Sequence, residues 1–322
     1  MPARSLMRKL VGFILRFAII AACLIYVFWG LDWGLFGKAL TRFGPVAVVG
    51  VFLATLTQYL PVSWRLSYLT KYEAGFLVSL KASAFCMGIN NLLPAKAGEV
   101  AKAFYLRNRT GLPMARGLGL IFWERFFDLN SLLVLGVLTA LFLGKNLVLV
   151  PMACVVGFIW LAIIAFRVFP SLPEKMSRLI PGERLRLLFT DIIKQLQEHM
   201  TPAFFLSMTL LTLVVWTVFF AAVALGIWWM AGLDLSVSQA LAVFVVSTVG
   251  YAVPASPGGL GVYEAAFVAA MAWVGVGREQ ALALGLALHF MVLVPPILAA
   301  LYVLAESGLS MKAIREKGEE TL

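Results

Sequence analysis

Long apolar runs separated by short polar stretches dominate the chain. At about 20 residues per span, runs long enough to cross a bilayer occupy roughly 10–30, 45–65, 117–143, 147–168, 203–231 and 280–305. Two further runs, 75–93 and 237–253, end at a polar, proline-containing break. The first break reads Asn90-Asn91-Leu92-Leu93-Pro94-Ala95-Lys96-Ala97-Gly98-Glu99. The second reads Tyr251-Ala252-Val253-Pro254-Ala255-Ser256-Pro257-Gly258-Gly259-Leu260-Gly261-Val262-Tyr263-Glu264. Each puts a Pro-Ala turn, a glycine and then a carboxylate where a membrane helix would continue. A shorter helical piece follows each break, at about 98–108 and 260–275. Irregular backbone at membrane depth persists only where protein or a water-filled cavity surrounds it. Each helix-break-helix is therefore expected to form a re-entrant hairpin, broken at Pro94 and Gly98 in the first and at Pro254 and Pro257 in the second. Two such interruptions at matching places in two half-sequences point to a transport site.

Composition agrees with the pattern. The 322 residues are 62% hydrophobic and 13% charged, with a mean hydropathy of +0.94. That balance predicts an all-α polytopic membrane protein, with about six spanning helices and the two hairpins in a single integral membrane domain, 1–322. The net charge of +10 belongs with loop lysines and arginines on the cytoplasmic side and with anionic headgroups, and nucleic acid is not an expected partner. Cys23, Cys86 and Cys154 lie in apolar runs without a paired motif, and His199 and His289 are the only histidines. Neither a disulfide framework nor a metal site is expected, and no motif asks for a cofactor. Arg4, Arg8, Lys9 and Arg16 precede the first apolar run without a clear cleavage site, which reads as an uncleaved signal anchor.

Charge counting sets the orientation. With the N-terminus inside, 65–73, the region around 96–116, the segment 169–200 and the tail from 306 all fall inside and carry most of the 26 Lys and Arg. Lys38, Arg42, Lys145 and Arg278 fall outside, a bias that follows the positive-inside rule. Both termini are thus expected in the cytoplasm. Within 169–200, Leu185, Leu188, Phe189, Ile192, Ile193 and Leu196 recur at helical spacing. This segment reads either as an amphipathic helix on the inner membrane surface or as a linker helix packed on the protein.

The two halves resemble each other. Gly111-Leu112-Pro113-Met114-Ala115-Arg116-Gly117-Leu118-Gly119-Leu120 matches Gly275-Val276-Gly277-Arg278-Glu279-Gln280-Ala281-Leu282-Ala283-Leu284, and Arg125-Phe126 then falls on His289-Phe290. The span at 117–143 runs outward and its counterpart at 280–305 runs inward, so the halves, about 45–143 and 203–305, are expected to form an inverted repeat.

Several polar residues stand inside apolar segments. Glu124, Arg125 and Asp128 occupy a spanning helix, with Glu124 about 12 Å in from Arg116. Each would cost several kcal/mol in hydrocarbon unless paired or wet. Glu124 and Asp128 share a helix face, whereas Arg125 is expected to reach another element, at Glu99 or Glu264. Glu99 opens the helix after the first break, with Lys102 on its face, and the helix N-terminus favours the Glu99 carboxylate. Around Ser256, Gly258, Gly259 and Gly261 the open backbone amides would suit an anion such as a lipid phosphate. His289 lies about 15 Å into its span and is either a proton acceptor or a hydrogen-bonded core histidine. Arg65, beside Trp64, reads as a snorkelling interfacial arginine, with a phosphate contact as the alternative. Lys81 is unusual in having apolar neighbours on both sides.

At these motifs the chain resembles a known family. "NNLLPAKAGEVAKAFYL", "WERFFDL" and "PASPGGLGVYEAAF" are similar to the flippase-like transmembrane domain of lysylphosphatidylglycerol synthases, the membrane half of the multiple peptide resistance factor. The resemblance covers nearly the whole chain and is most specific at Pro257–Glu264 and Glu124–Arg125. Ala97 departs from the pattern in the first break. It is a resemblance to stand-alone members without the aminoacyl-transferase domain, so the transferase activity is not implied. What it implies is movement of a phospholipid, glycolipid or polyprenyl-linked lipid across the bacterial inner membrane. The family's residues fall on Pro94, Gly98, Glu99, Glu124, Arg125, Asp128, Pro257, Gly258, Gly259, Gly261 and Glu264. A transporter is expected rather than an enzyme, with membrane lipids bearing an anionic headgroup as partners. Two alternatives stay open: an intramembrane transferase acting on a lipid or sugar-lipid through Glu99 or Glu264, and a non-catalytic partner of a lipid-synthesis complex.

Overall fold

In a computed structural model, residues 17–93, 96–143, 149–169, 171–180, 182–253 and 255–307 are described. The basic N-terminal stretch, Pro94, Pro254, Lys145 and the tail beyond Ser307 lie outside them. The chain is an all-α polytopic membrane protein, and no strand occurs among the described residues. By residue contacts they divide into two compact units.

The first unit takes the described part of Met1–Leu56, then Asn90–Lys96 and Phe219–Ile297. It begins with α1 (Phe17–Phe28), which meets α2 (Trp33–Thr41) at an 82° bend. Asp32 causes the new start: its carboxylate accepts from Gly34 N at 2.8 Å and Leu35 N at 2.9 Å, capping α2. The expected span 10–30 is thus helical only to Phe28 within the described residues. Next comes α3 (Pro45–Thr57), with Pro45 at its first position. Later elements are the last residues of α11 (Pro202–Leu225) with a π-helical turn at Gly226–Met230, α12 (Val237–Ala252), α13 (Val262–Trp273) and most of α14 (Arg278–Ser307). Ser236 and Gln239 start α12 with a reciprocal capping box, through Gln239 N to Ser236 Oγ at 3.3 Å and Ser236 N to Gln239 Oε1 at 2.9 Å. The core gathers Val27, Val51, Phe267, Met271, Leu282 and Leu288.

Two helices of this unit, α12 and α13, pack against each other as a hairpin. Gly250 permits the approach. A β-carbon there would lie 2.5 Å from Ala266 Cβ and 3.1 Å from Val262 O, neither of which can swing aside. Gly250→Ala is therefore expected to destabilise the protein by about 1–3 kcal/mol through overpacking, and Ala266→Gly in the same chain to restore part of the loss. Thermal unfolding of the purified variants in detergent measures both.

The second unit takes Thr57–Ile89, Ala97–Val218 and the described part of Leu298–Leu322. It holds α4 (Tyr59–Leu69), most of α5 (Phe76–Leu92), α6 (Ala97–Thr110), α7 (Met114–Leu143), α8 (Leu149–Val168), α9 (Leu172–Ser177), α10 (Glu183–Glu198) and the larger part of α11. Pro61 sits in the first turn of α4 and has no N–H to give to Thr57 O, which accounts for the interruption between α3 and α4. The helix α7 packs against α6, α8 and α10. Trp123 of α7 is fully buried at the centre of an aromatic cluster, with ring centroids of Phe126, Phe204 and Phe205 at 5.5, 5.3 and 5.5 Å. Ile193 and Leu196 of α10 join that core. The apolar face of α10 therefore packs on the protein, which favours the linker-helix reading of this segment.

Three helical stretches, Pro45–Leu69, Pro202–Met230 and Arg278–Ser307, are long and apolar enough to cross a membrane, and the bent pair α1–α2 would make a fourth. The 30-residue α7, about 45 Å long, has the length to span but carries the charged residues of the candidate site.

Candidate functional site

Six charged side chains converge in the second unit. Glu124, Arg125 and Asp128 come from α7, Glu99 and Lys102 from α6, and Arg65 from α4. Glu124 and Asp128 are one turn apart, so both carboxylates face Arg65. Asp128 accepts from Arg65 Nη1 at 2.6 Å and Nη2 at 3.2 Å, a two-pronged contact. Arg65 Nη1 also donates to Thr212 Oγ1 of α11 at 3.1 Å. Lys102 Nζ donates to Glu124 Oε2, and Arg65 Nη2 lies 3.9 Å from Glu124 Oε1. Arg125 Nε lies 3.6 Å from Glu99 Oε1 and its Nη2 lies 3.3 Å from Asp128 Oδ2. Three cations thus meet three carboxylates, and the network is neutral overall, which makes its burial tolerable.

Exposure separates the members. The side chains of Arg65 and Lys102 are 2% exposed and Glu124 is 0%, whereas Arg125 is 51% exposed. Arg125 is the accessible cation of the network. The expectation of a snorkelling Arg65 is corrected: α4 continues to Leu69, so Arg65 stands a full turn inside its helix and is consumed by Asp128 and Glu124. Arg125 meets Glu99 rather than Glu264, and it also bends along its own helix to Asp128, three residues on. Gly98 is buried in the first turn of α6. Lys81 pairs with both carboxylate oxygens of Glu306 at 2.7 Å, near the Tyr302 ring.

The second break builds another site, in the first unit. Pro257–Gly259 forms a single 3₁₀ turn, and Gly258 and Gly261 adopt φ of 61° and 83°, which only glycine takes without strain. Glu264, in the first turn of α13, accepts from Gly261 N at 2.7 Å. Its other oxygen lies 2.5 Å from His289 Nδ1 of α14. His289 Nε2–H donates to Gly258 O at 2.8 Å. Tyr263 packs on the imidazole at 4.4 Å between centroids and Tyr251 stands edge-on at 5.9 Å. His289 is thus a hydrogen-bonded core histidine whose partner is a carboxylate.

Several amides of this break are already engaged. Gly261 N is taken by Glu264, Gly259 N donates to Ser256 O at 3.2 Å, and Leu260 N donates to Pro257 O at 3.3 Å. Ser256 Oγ donates to Leu260 O at 2.7 Å. The turn thus engages the amides of Gly259, Leu260 and Gly261 internally.

The two breaks meet within the first unit. Tyr251 O–H donates to Asn91 Oδ1 at 2.7 Å, and Asn91 Nδ2 donates to Leu293 O at 3.4 Å. Lys96 lies over the Tyr251 ring at 5.5 Å. A groove of about 560 Å³ opens beside the pair, walled mainly by apolar residues such as Phe36, Phe43 and Phe290 with Glu264 and His289 among its lining. Sequence reasoning assigned no role to Arg65 within the network, to Thr212, or to the Asn91–Tyr251 contact. Only Arg65 carried a signal, as a charge inside an apolar run.

Comparison with known proteins places these features in a lineage. The sequence model of the family described as "Lysylphosphatidylglycerol synthase TM region" matches residues 13–300. A UPF0104 membrane protein of Methanocaldococcus jannaschii is 27% identical over 191 residues, covering 56% of this chain and 78% of the relative.

Proposed function

The chain belongs to the lysylphosphatidylglycerol synthase transmembrane-region family, which gives it a membrane location and a membrane lipid-related role, and from that premise we propose that it moves a lipid with an anionic headgroup between the leaflets of the cell's inner membrane. One observation carries the reading. A long helix in an apolar protein holds a half-exposed guanidinium, Arg125, on a buried and charge-balanced support. A cation at that depth is costly unless it has work to do. A phosphate would bind Arg125 by charge-assisted hydrogen bonds, displacing its long contacts to Glu99 and Asp128. The acyl or isoprenoid chains would stay in lipid.

In this reading α5–α6 and α12–α13 are re-entrant hairpins, and 45–143 and 203–305 form an inverted repeat. Both termini lie in the cytoplasm, in keeping with the charge bias of the loops. The phosphate is held by side chains rather than by the amides of the second break.

Reconstitution is the test. Vesicles containing the protein are expected to move labelled phosphatidylglycerol or a labelled polyprenyl phosphate across the bilayer faster than protein-free vesicles. Equal rates for every probe would overturn the proposal.

A further inference from the structure

The Glu264–His289 pair holds a proton for which lipid binding has no use. Nε2 faces a carbonyl, which only accepts, so Nε2 carries hydrogen. Glu264 Oε1 and a bare Nδ1 would both be acceptors, and at 2.5 Å they need one further proton between them. Glutamic acid with neutral imidazole, or glutamate with imidazolium, satisfies that count equally. Losing the proton leaves a neutral imidazole with one N–H for two acceptors, in a site where the residues are 4% and 2% exposed; the carboxylate is the stronger acceptor, so Nδ1 keeps the hydrogen and the bare Nε2 must part from Gly258 O.

That contact is a latch at the meeting point of the two breaks. His289 ties α14 to α13 through Glu264 and to the 3₁₀ turn through Gly258 O. Gly258 in turn backs onto the first break: a β-carbon there would lie 2.7 Å from Leu293 Cδ2 and 3.5 Å from Asn91 O. Within α13 itself Tyr263 faces the ring, from α12 Tyr251 does so, and Lys96 of the first break covers Tyr251. Cys23 of α1 is near enough to feel the Glu264 charge. To the groove beside the pair, α2 and α3 give only apolar side chains, among them Phe36, Leu40 and Val48. Because Glu264 and His289 both line this groove, a proton can reach them without unfolding of the hairpin.

We propose that Glu264 and His289 form a proton-exchange site that couples lipid movement to proton flow. The proposal rests on the translocation reading and adds its energy source. With the proton bound, the second break is clamped between α13 and α14. When the proton leaves by way of the groove, Gly258 and the first break behind it are released, and no covalent bond changes.

The test uses the full chain in vesicles carrying acyl-labelled phosphatidylglycerol or a labelled polyprenyl phosphate, with and without a pH gradient. One proton per lipid shifts the steady-state leaflet ratio by up to about tenfold per pH unit. Glu264→Gln should keep the fold, since a glutamine carbonyl can accept from Gly261 N–H and its amide can donate to Nδ1. Its amide does not ionise, so its leaflet ratio should ignore the gradient. Wild-type protein that moves lipid to the same ratio regardless of the gradient overturns the coupling and leaves translocation standing, as does a Glu264→Gln variant that follows the gradient. Wild-type protein that moves no probe overturns translocation, and coupling with it. For a Glu264→Gln variant that moves no lipid, the acid-minus-alkaline infrared difference spectrum decides. Carboxyl and imidazole bands present in wild type and missing in the variant support the proton site, and identical spectra overturn it.

Discussion

Arg65→Met is expected to destabilise the protein by about 3–5 kcal/mol, the usual cost of leaving a buried charge without its partner. Arg65 is the cation that two carboxylates share, with Asp128 held at 2.6 and 3.2 Å and Glu124 at 3.9 Å. Methionine fills much of the same volume, so the loss is electrostatic rather than a cavity. The network then holds two cations against three carboxylates, and Asp128 keeps its Arg125 contact at 3.3 Å and the Trp216 indole but loses its two-pronged partner. Removing the orphan as well should reverse most of the effect. In Arg65→Met with Asp128→Leu, Lys102 still meets Glu124 and Arg125 still meets Glu99, and neutrality returns. Replacing a whole buried pair with apolar residues is often close to neutral in stability. Thermal unfolding in detergent should therefore show the single variant well below wild type and the double variant near it. A double variant as unstable as the single one would mean that packing around Arg65, not charge balance, holds this region.

Helix positions were the most legible part of the chain. The apolar runs at 75–93 and 237–253 appear as Phe76–Leu92 and Val237–Ala252, because a segment in lipid must satisfy its own backbone and leaves little freedom about where it ends. The breaks were equally visible, since proline and glycine act locally. What the spacing of residues could not convey was partnership. Arg65 looked interfacial because it lies near the end of an apolar window, and only the continuation of α4 to Leu69 places it inside. Asn91 and Tyr251 are 160 residues apart, and nothing in either break announces that the two touch. The glycines of the second break invited an anion, yet the same sequence that frees amides also lets Glu264 and the turn reclaim them. Local rules gave the elements, and long-range side-chain pairing, which has no periodicity, decided the site.

Arg125→Ala is expected to keep the fold at a modest loss of stability and to lower the initial rate of lipid movement about tenfold to a hundredfold, the loss of a charge-assisted hydrogen bond worth about 1.5–3 kcal/mol. The two arginines should thus separate cleanly. Arg65 has a 2% exposed side chain and two carboxylates that depend on it, whereas Arg125 is 51% exposed and its shortest carboxylate contact is 3.3 Å. Its removal unbalances the network by one charge; Asp128 keeps Arg65, while Glu99, 18% exposed, loses its ion pair with Arg125. Stability should fall by about 1–3 kcal/mol, between the cost of losing an exposed pair and that of orphaning a fully buried charge, and so by less than in Arg65→Met. Arg125→Lys tests what kind of contact is lost. Lysine keeps the charge but not the planar fork, so it should recover part of the rate for a phosphate held by two donors and nearly all of it for simple attraction. Rate measurements in vesicles, paired with melting curves of the same preparations, read both quantities. A variant that melts like wild type and moves lipid at the wild-type rate would remove Arg125 from the lipid path.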